Sequence, residues 1–495
     1  MSAFEPNITF DLIEQAANRP TATALILPDR AMNYRQLDLL TWQSAQFLHD
    51  QGIRPGDVVA LTFDSEVLLA LALLGLARLG ATTLSIPRSA TVFQRRQWAA
   101  QAACAALVSD RPERYETGVP AISMTGSGIG RQGRVRTQIL QDRPQHNFSI
   151  IVGSGSTGLP KLIPITHRQM RHRCDLQITH TSYLASDRIF SLSHIEFSSA
   201  TNRFFSTLNL GAGYVFAPSA DFERFSFLKA SRVTVLFGAV LHMEKMLRDI
   251  KDGEAKKLDF LRIIRVAGSM VSSDLRHRIR HFLNGNLHVV YGTNECGRIS
   301  IASIPEVFDV SGSVGFPIEG VTAEVVDERD QPLVGLDGFI RVRTPSMIEG
   351  YLGETVATQK HFRNGWFYTS DRGRTCADGQ IVLLGRADDL MIFNGINIYP
   401  AEIEQCLRES PDIQDVAVIS LRHAVHQDIP VCALVIKPGH PVTTTDIVAY
   451  AREKLGFKSP KRFVFLEKIP RNAQGKLARA ELEELLSAPS PEKAG

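Results

Sequence analysis

Residues 149–161 read Ser-Ile-Ile-Val-Gly-Ser-Gly-Ser-Thr-Gly-Leu-Pro-Lys. Ser154, Gly155, Ser156, Thr157 and Gly158 offer hydroxyls and open backbone N–H groups, and Lys161 adds a positive charge. Such a set suits the oxygens of a phosphate. Two familiar phosphate loops nevertheless fail here. Gly153 to Gly158 spells the dinucleotide fingerprint, but that motif must open a helix. Pro160 and Pro164, with Leu162, Ile163 and Ile165 between and beside them, predict a second strand instead. The P-loop needs lysine directly after its last glycine, and Leu159-Pro160 intervene. A glycine–serine surface turn without a ligand is the remaining alternative.

Further along stand Tyr291-Gly-Thr-Asn-Glu295, Gly365-Trp-Phe-Tyr-Thr-Ser-Asp371 and Gly385-Arg-Ala-Asp-Asp389. Gly395-Ile-Asn-Ile-Tyr-Pro-Ala-Glu-Ile-Glu404 and Pro470-Arg-Asn-Ala-Gln-Gly-Lys476 follow. In that order, from about Asn33 to Leu482, the set resembles the adenylate-forming superfamily: acyl- and aryl-CoA synthetases, non-ribosomal peptide adenylation domains and luciferases. The resemblance implies a ligase that uses ATP and Mg2+ to turn a small-molecule carboxylic acid into an acyl-adenylate, then a thioester with coenzyme A. A freestanding enzyme that loads a carrier protein is the alternative, and a degenerate nucleotide-binding member a third.

By the same resemblance, Ser154 to Gly158 and Lys161 hold the β- and γ-phosphates. Tyr291 lies against adenine, with Gly292 and Asn294 beside it, and Thr293 meets the α-phosphate. Asp371 and Arg386 take the ribose hydroxyls. Glu295 is the expected magnesium ligand, since that cation prefers carboxylate oxygen. Lys476 is the expected catalytic cation bridging carboxylate and α-phosphate, Asp388 the hinge, and Gly395 the point where a pantetheine arm passes. Three positions depart from the family pattern: Asn294 for Thr, Ser370 for Gly and Phe339 for Glu.

The acid pocket is less legible. Counting back from Leu210-Gly211-Ala212 puts Ser198 where amino-acid-activating domains carry Asp, and a neutral serine cannot pair an α-ammonium. Glu196, or His194 if the alignment slips, falls at the gate of acyl- and aryl-CoA ligases. Glu196 then either recognises an amine or hydroxyl on an aryl acid or faces solvent. Gly268 and Ser269 are expected at the acid and adenosine edge.

The elements that must position these residues follow from periodicity and punctuation. The 495 residues exceed one core, so the chain should divide. Helical and β-rich runs alternate over 34–108, including the apolar Val67–Ala77, which reads as a buried helix. Gly126–Gly133 reads as a linker loop, Gly312–Leu384 as a β-rich subdomain, and the basic stretch Arg276–His281 as a solvated helix face, with contact to the nucleotide of coenzyme A as the alternative. The fold expected is α/β: a large N-terminal domain of layered α/β subdomains plus the β-rich part (1–386), a small mobile α+β C-terminal domain (387–486) and a disordered tail (487–495). A net charge of +3 gives no reason to invoke nucleic acid or membrane. Six scattered cysteines without a C-x-x-C pair, and no basic–apolar leader pattern, point to the cytoplasm.

Overall fold

The computed structural model describes residues 7–130, 145–153, 161–180, 183–218, 222–250, 258–303, 310–389, 391–393, 396–423, 427–439, 442–472 and 475–487. The alternation over 34–108 builds a six-stranded sheet. Its order is Ala121–Ser123, Ala106–Ser109, Val58–Leu61, Thr82–Ser85, Asn147–Gly153 and Lys161–Thr166. All neighbours are parallel except the last pair. That antiparallel pair matches Gly153 with Lys161, so the glycine–serine segment joins two strands, as Pro160 and Pro164 predict.

Helix Glu66–Leu79 explains why the apolar run is not a membrane span. Ser65 caps its first turn, Gly80 ends it in the left-handed region, and every residue from Leu69 to Leu79 is buried. Within that stretch Arg78 pairs with Asp38 at 2.7 Å and lies over the Trp42 ring. Among the described residues no helix is long and apolar enough to cross a membrane.

A nine-stranded sheet packs on the same core. Its middle strands Gly213–Val215, Arg188–Ser191, Val235–Ala239, Ile263–Ala267 and Leu287–Thr293 run parallel. The β-rich part is an antiparallel five-stranded sheet built on Trp366–Thr375. A further five-stranded sheet gathers Met391–Phe393, Ile396–Ile398, Ile413–His423, Gln427–Ile436 and Arg462–Phe465, against which helix Pro400–Arg408 packs. The buried apolar clusters built from residues 391–486 contain no earlier residue.

Three expectations need correction. Gly126–Gly130 forms a short helix rather than a loop. Arg276 is fully buried, not solvated: its guanidinium donates to Val271 O at 2.9 Å and Ser313 O at 2.5 Å. Helix Arg479–Ser487 extends through the first residue assigned to the tail.

Candidate functional site

In parallel sheets ligands gather beyond the carboxyl ends of the strands. Both large sheets turn those ends toward one cleft of roughly 2690 Å3. From the nine-stranded sheet come Leu192, Ala239, Gly268 and Tyr291 to Glu295, and from the six-stranded sheet Ser85 and Gly153. Gly268 and Ser269 follow strand Ile263–Ala267 at this edge and are exposed to it.

Asp371 and Arg386 are direct cross-strand partners. Arg386 Nη1 lies 3.3 Å from Asp371 Oδ1, and Tyr291 Oη donates to Asp371 Oδ2 at 2.5 Å. Burial pushes the Asp371 carboxyl above its usual range, while Arg386 and Tyr291 pull it back. Tyr291 itself is buried, ending the apolar part of its strand. Ser370 sits at φ +63°, in the left-handed region that glycine enters without cost. Serine therefore occupies a glycine-type backbone position immediately before the key carboxylate.

The turn joining strands Leu287–Thr293 and Gly297–Ala302 carries Thr293, Asn294 and Glu295. Thr293 Oγ1 accepts from Cys296 N at 3.2 Å and closes it. Tyr351 Oη donates to Glu295 Oε1 at 3.0 Å. The buried Arg173 donates to Glu295 O at 3.1 Å and to Ser346 O at 3.2 Å, tying the turn to the next segment. Lys161 lies across the cleft with its ammonium 4.7 Å from the Tyr351 ring centre and 3.3 Å from His361 Nε2. His361 Nδ1 faces Tyr368 O at 3.1 Å, so that nitrogen is the donor and Nε2 the acceptor toward Lys161. Burial, then Lys161, hold His361 below the ordinary histidine range and keep it neutral. Tyr351, His361 and Arg173 escaped the sequence reading. Only Tyr351 carries a local hint, in Glu349-Gly-Tyr351-Leu-Gly, and the other two meet the site through tertiary contacts.

Lys476 enters from the last sheet's side. Arg471 grips Asp415 through two contacts of 3.1 and 2.8 Å, and Asn472 O accepts from Gly475 N at 2.8 Å. The resulting turn puts Lys476 in the cleft with Asp371, Arg386 and Glu295. Desolvation and Arg386 lower its ammonium below the usual lysine range, against the pull of Glu295 and Asp371. Gly475 has φ +77°, and a Cβ there would stand 2.8 Å from Leu241 Cβ. That close approach seats the turn on helix Val240–Arg248.

At the opposite rim, His194 and Glu196 are not alternatives but neighbours, with Nδ1 to Oε1 at 3.7 Å. Glu196 does not face solvent: its side chain is 7% exposed and accepts from Arg88 N at 3.1 Å. Glu66 accepts from Ile195 N at 2.7 Å and lies 3.7 Å from His194 Nε2. Burial pushes Glu66 up to about 7 and holds His194 down to about 3. Ser198 opens helix Ser198–Leu210 on the cleft wall. Ser154, Gly155, Ser156, Thr157, Gly158 and Gly395 lie outside the described residues, as does the side chain of Asp388.

A family model described as AMP-binding enzyme matches residues 12–352, and one described as AMP-binding enzyme C-terminal domain matches 402–476. The chain is 26% identical to an indoleacetate–CoA ligase of Aromatoleum aromaticum, covering 95% of this chain and 96% of that protein. It is 25% identical to a 3-hydroxybenzoate–CoA/4-hydroxybenzoate–CoA ligase of Thauera aromatica, covering 98% and 99%. ATP-bound MatB from Rhodopseudomonas palustris shares the fold, with a TM-score of 0.88 at 22% identity over 97% of this chain and 99% of that one.

Proposed function

The chain belongs to the AMP-binding enzymes, and from that premise we propose that it is an AMP-forming acid–thiol ligase. It activates a small-molecule carboxylic acid with ATP and passes the acyl group to coenzyme A. One observation carries this reading: Lys476, from the end of the chain, shares a cleft with Asp371, Arg386 and Glu295 from three earlier segments. The names of the relatives as CoA ligases support the choice of acceptor.

In the first step a carboxylate oxygen attacks the α-phosphorus of ATP and pyrophosphate leaves. Negative charge accumulates among oxygens, so fixed cations and donors lower the barrier. Lys476 spans the attacking carboxylate and the α-phosphate, with Thr293 donating beside it. Asp371 accepts from the ribose hydroxyls and is held in place by Arg386 and Tyr291. Lys161, with the 154–158 loop, takes the outer phosphates. The donor set also fits magnesium. Among the described residues no group of three or more His, Cys, Asp or Glu side chains could hold a metal, so Glu295 would supply one carboxylate and the phosphates the other ligands. When bound, the ion withdraws charge from the phosphate oxygens.

In the second step the thiol sulfur attacks the acyl carbonyl, its proton leaves to solvent, and AMP departs. Residues 387–486 are proposed to turn about Asp388, exchanging Lys476 for the loop that carries Gly395. The separate apolar clusters after residue 391 support independent movement of this part. Lys476→Ala tests the division of labour. Acid-dependent pyrophosphate exchange should fall on the order of 100-fold or more. Thioester formation from supplied acyl-adenylate and coenzyme A should stay within about threefold. Equal losses in both halves would contradict the proposal.

A further inference from the structure

Three arginines meet at one end of the cleft with no carboxylate partner among the described residues. Arg203 projects from helix Ser198–Leu210, Arg265 from strand Ile263–Ala267 and Arg298 from strand Gly297–Ala302. The Arg203 and Arg265 guanidiniums lie 3.7 and 5.6 Å from the Phe237 ring centre, and Arg265 lies 4.8 Å from that of Tyr183. Arg203 and Arg265 are 9% and 0% exposed. Arg203 Nη1 donates to Ser199 O at 2.9 Å and Arg265 Nη2 lies 3.4 Å from His288 Nδ1, but Arg203 Nε, Arg298 Nη1 and both Nε and Nη1 of Arg265 are buried with no hydrogen-bond partner among the described residues. None of the three forms an ion pair among the described residues. The neighbouring Asp187 is occupied by Arg262, at 2.5 and 3.1 Å, and by Thr234.

Buried charge without a counter-charge is costly, and native structures pair it, hydrogen-bond it or present it to a ligand. Aromatic faces recover only part of that cost. The field is felt nearby. Burial and then the arginines hold His288 down to about 3, and burial with Arg224 and Arg203 holds His242 down to about 4. Arg203 and Arg298 line the same cleft as Gly268, Thr293 and Lys476, whereas Arg265 stands behind them. The cleft therefore carries a second cationic end, built on other elements than the residues assigned to the reacting carboxylate.

We propose that the activated acid carries a second carboxylate, and that Arg203 and Arg298 receive it, making the substrate a dicarboxylic acid. This deepens the ligase reading and rests on it. Arg265 shares the Phe237 ring with Arg203, at 5.6 and 3.7 Å, and does not itself line the cleft.

The test uses matched pairs of acids in acid-dependent pyrophosphate exchange: succinate against butyrate, glutarate against pentanoate, and isophthalate against benzoate. The dianionic member should exchange at least about tenfold faster in one pair or more, a difference of about 1.4 kcal/mol. Arg203→Met and Arg298→Met should collapse that ratio, while Arg203→Lys and Arg298→Lys should restore part of it. Preference for the monoacid in every pair, with ratios unmoved by either methionine variant, would overturn the proposal. A second readout separates this failure from that of the ligase reading. If no acid supports exchange, the ligase reading falls, and thermal melting with glutarate decides the anion site. Stabilisation of the native protein but not of Arg298→Met upholds it, and equal shifts in both reject it.

Discussion

Ser370 holds φ +63° directly before the carboxylate that is assigned to ribose, and glycine is the residue that this backbone accommodates freely. A non-glycine residue in the left-handed region costs about 1–3 kcal/mol, partly offset by the greater freedom glycine brings to the unfolded chain. Ser370→Gly should therefore raise the unfolding free energy by about 1 kcal/mol in denaturant titration, with ATP binding retained. No gain, together with weaker ATP binding, would mean that the hydroxyl, 3.5 Å from His361 Nδ1, is needed in the site. Asp371→Asn keeps the shape but removes the acceptor charge that Arg386 and Tyr291 hold. The Km for ATP in pyrophosphate exchange should rise on the order of tenfold, as loss of a charge-assisted hydrogen bond requires.

At the scale of elements, the lysine-bearing turn and the rim helix carry the predictions. Gly475→Ala would drive a Cβ to 2.8 Å from Leu241 Cβ and strain a φ of +77°. The turn should then fail to seat, lowering exchange on the order of tenfold or more while sparing thioester formation from supplied adenylate. Leu241→Gly, which removes that Cβ and the rest of the side chain, should recover part of the loss. Glu66, at the start of helix Glu66–Leu79, is pushed up to about 7 by burial. The folded state thus keeps a proton that the unfolded chain releases near its ordinary carboxylate value, so native stability falls as pH rises from about 4.5 to 7. Glu66→Gln should match the native protein near pH 4.5 and exceed its unfolding free energy by about 2 kcal/mol at pH 8.

The same elements show what the residues alone disclosed. The hairpin around Lys161 was legible because proline placement is a local constraint, and helix Glu66–Leu79 because Ser65, Gly80 and an unbroken apolar run agree. Arg276 was misread because a charged helical residue is ordinarily solvated, and its burial is made tolerable by the carbonyls of Val271 and the distant Ser313. Arg203 and Arg298 carry no motif at all. They meet because sheet order brings a helix and a strand nearly a hundred residues apart to one end of the cleft. Tyr351 and His361 reach Lys161 in the same way, across about 200 residues of chain.

For the whole molecule, two largely parallel sheets aim their strand ends into one cleft, and a separately cored segment delivers Lys476 to it. That arrangement suits a two-step reaction whose halves need different groups beside the same acyl carbon. In such a reaction adenylation precedes transfer. The most direct measurement follows radiolabelled pyrophosphate into ATP with a panel of mono- and dicarboxylic acids, first without and then with coenzyme A. That order requires exchange that depends on an acid and not on coenzyme A, followed on its addition by AMP and an acyl thioester in equal amounts. Release of ADP and phosphate, or exchange that appears only when coenzyme A is present, would contradict it.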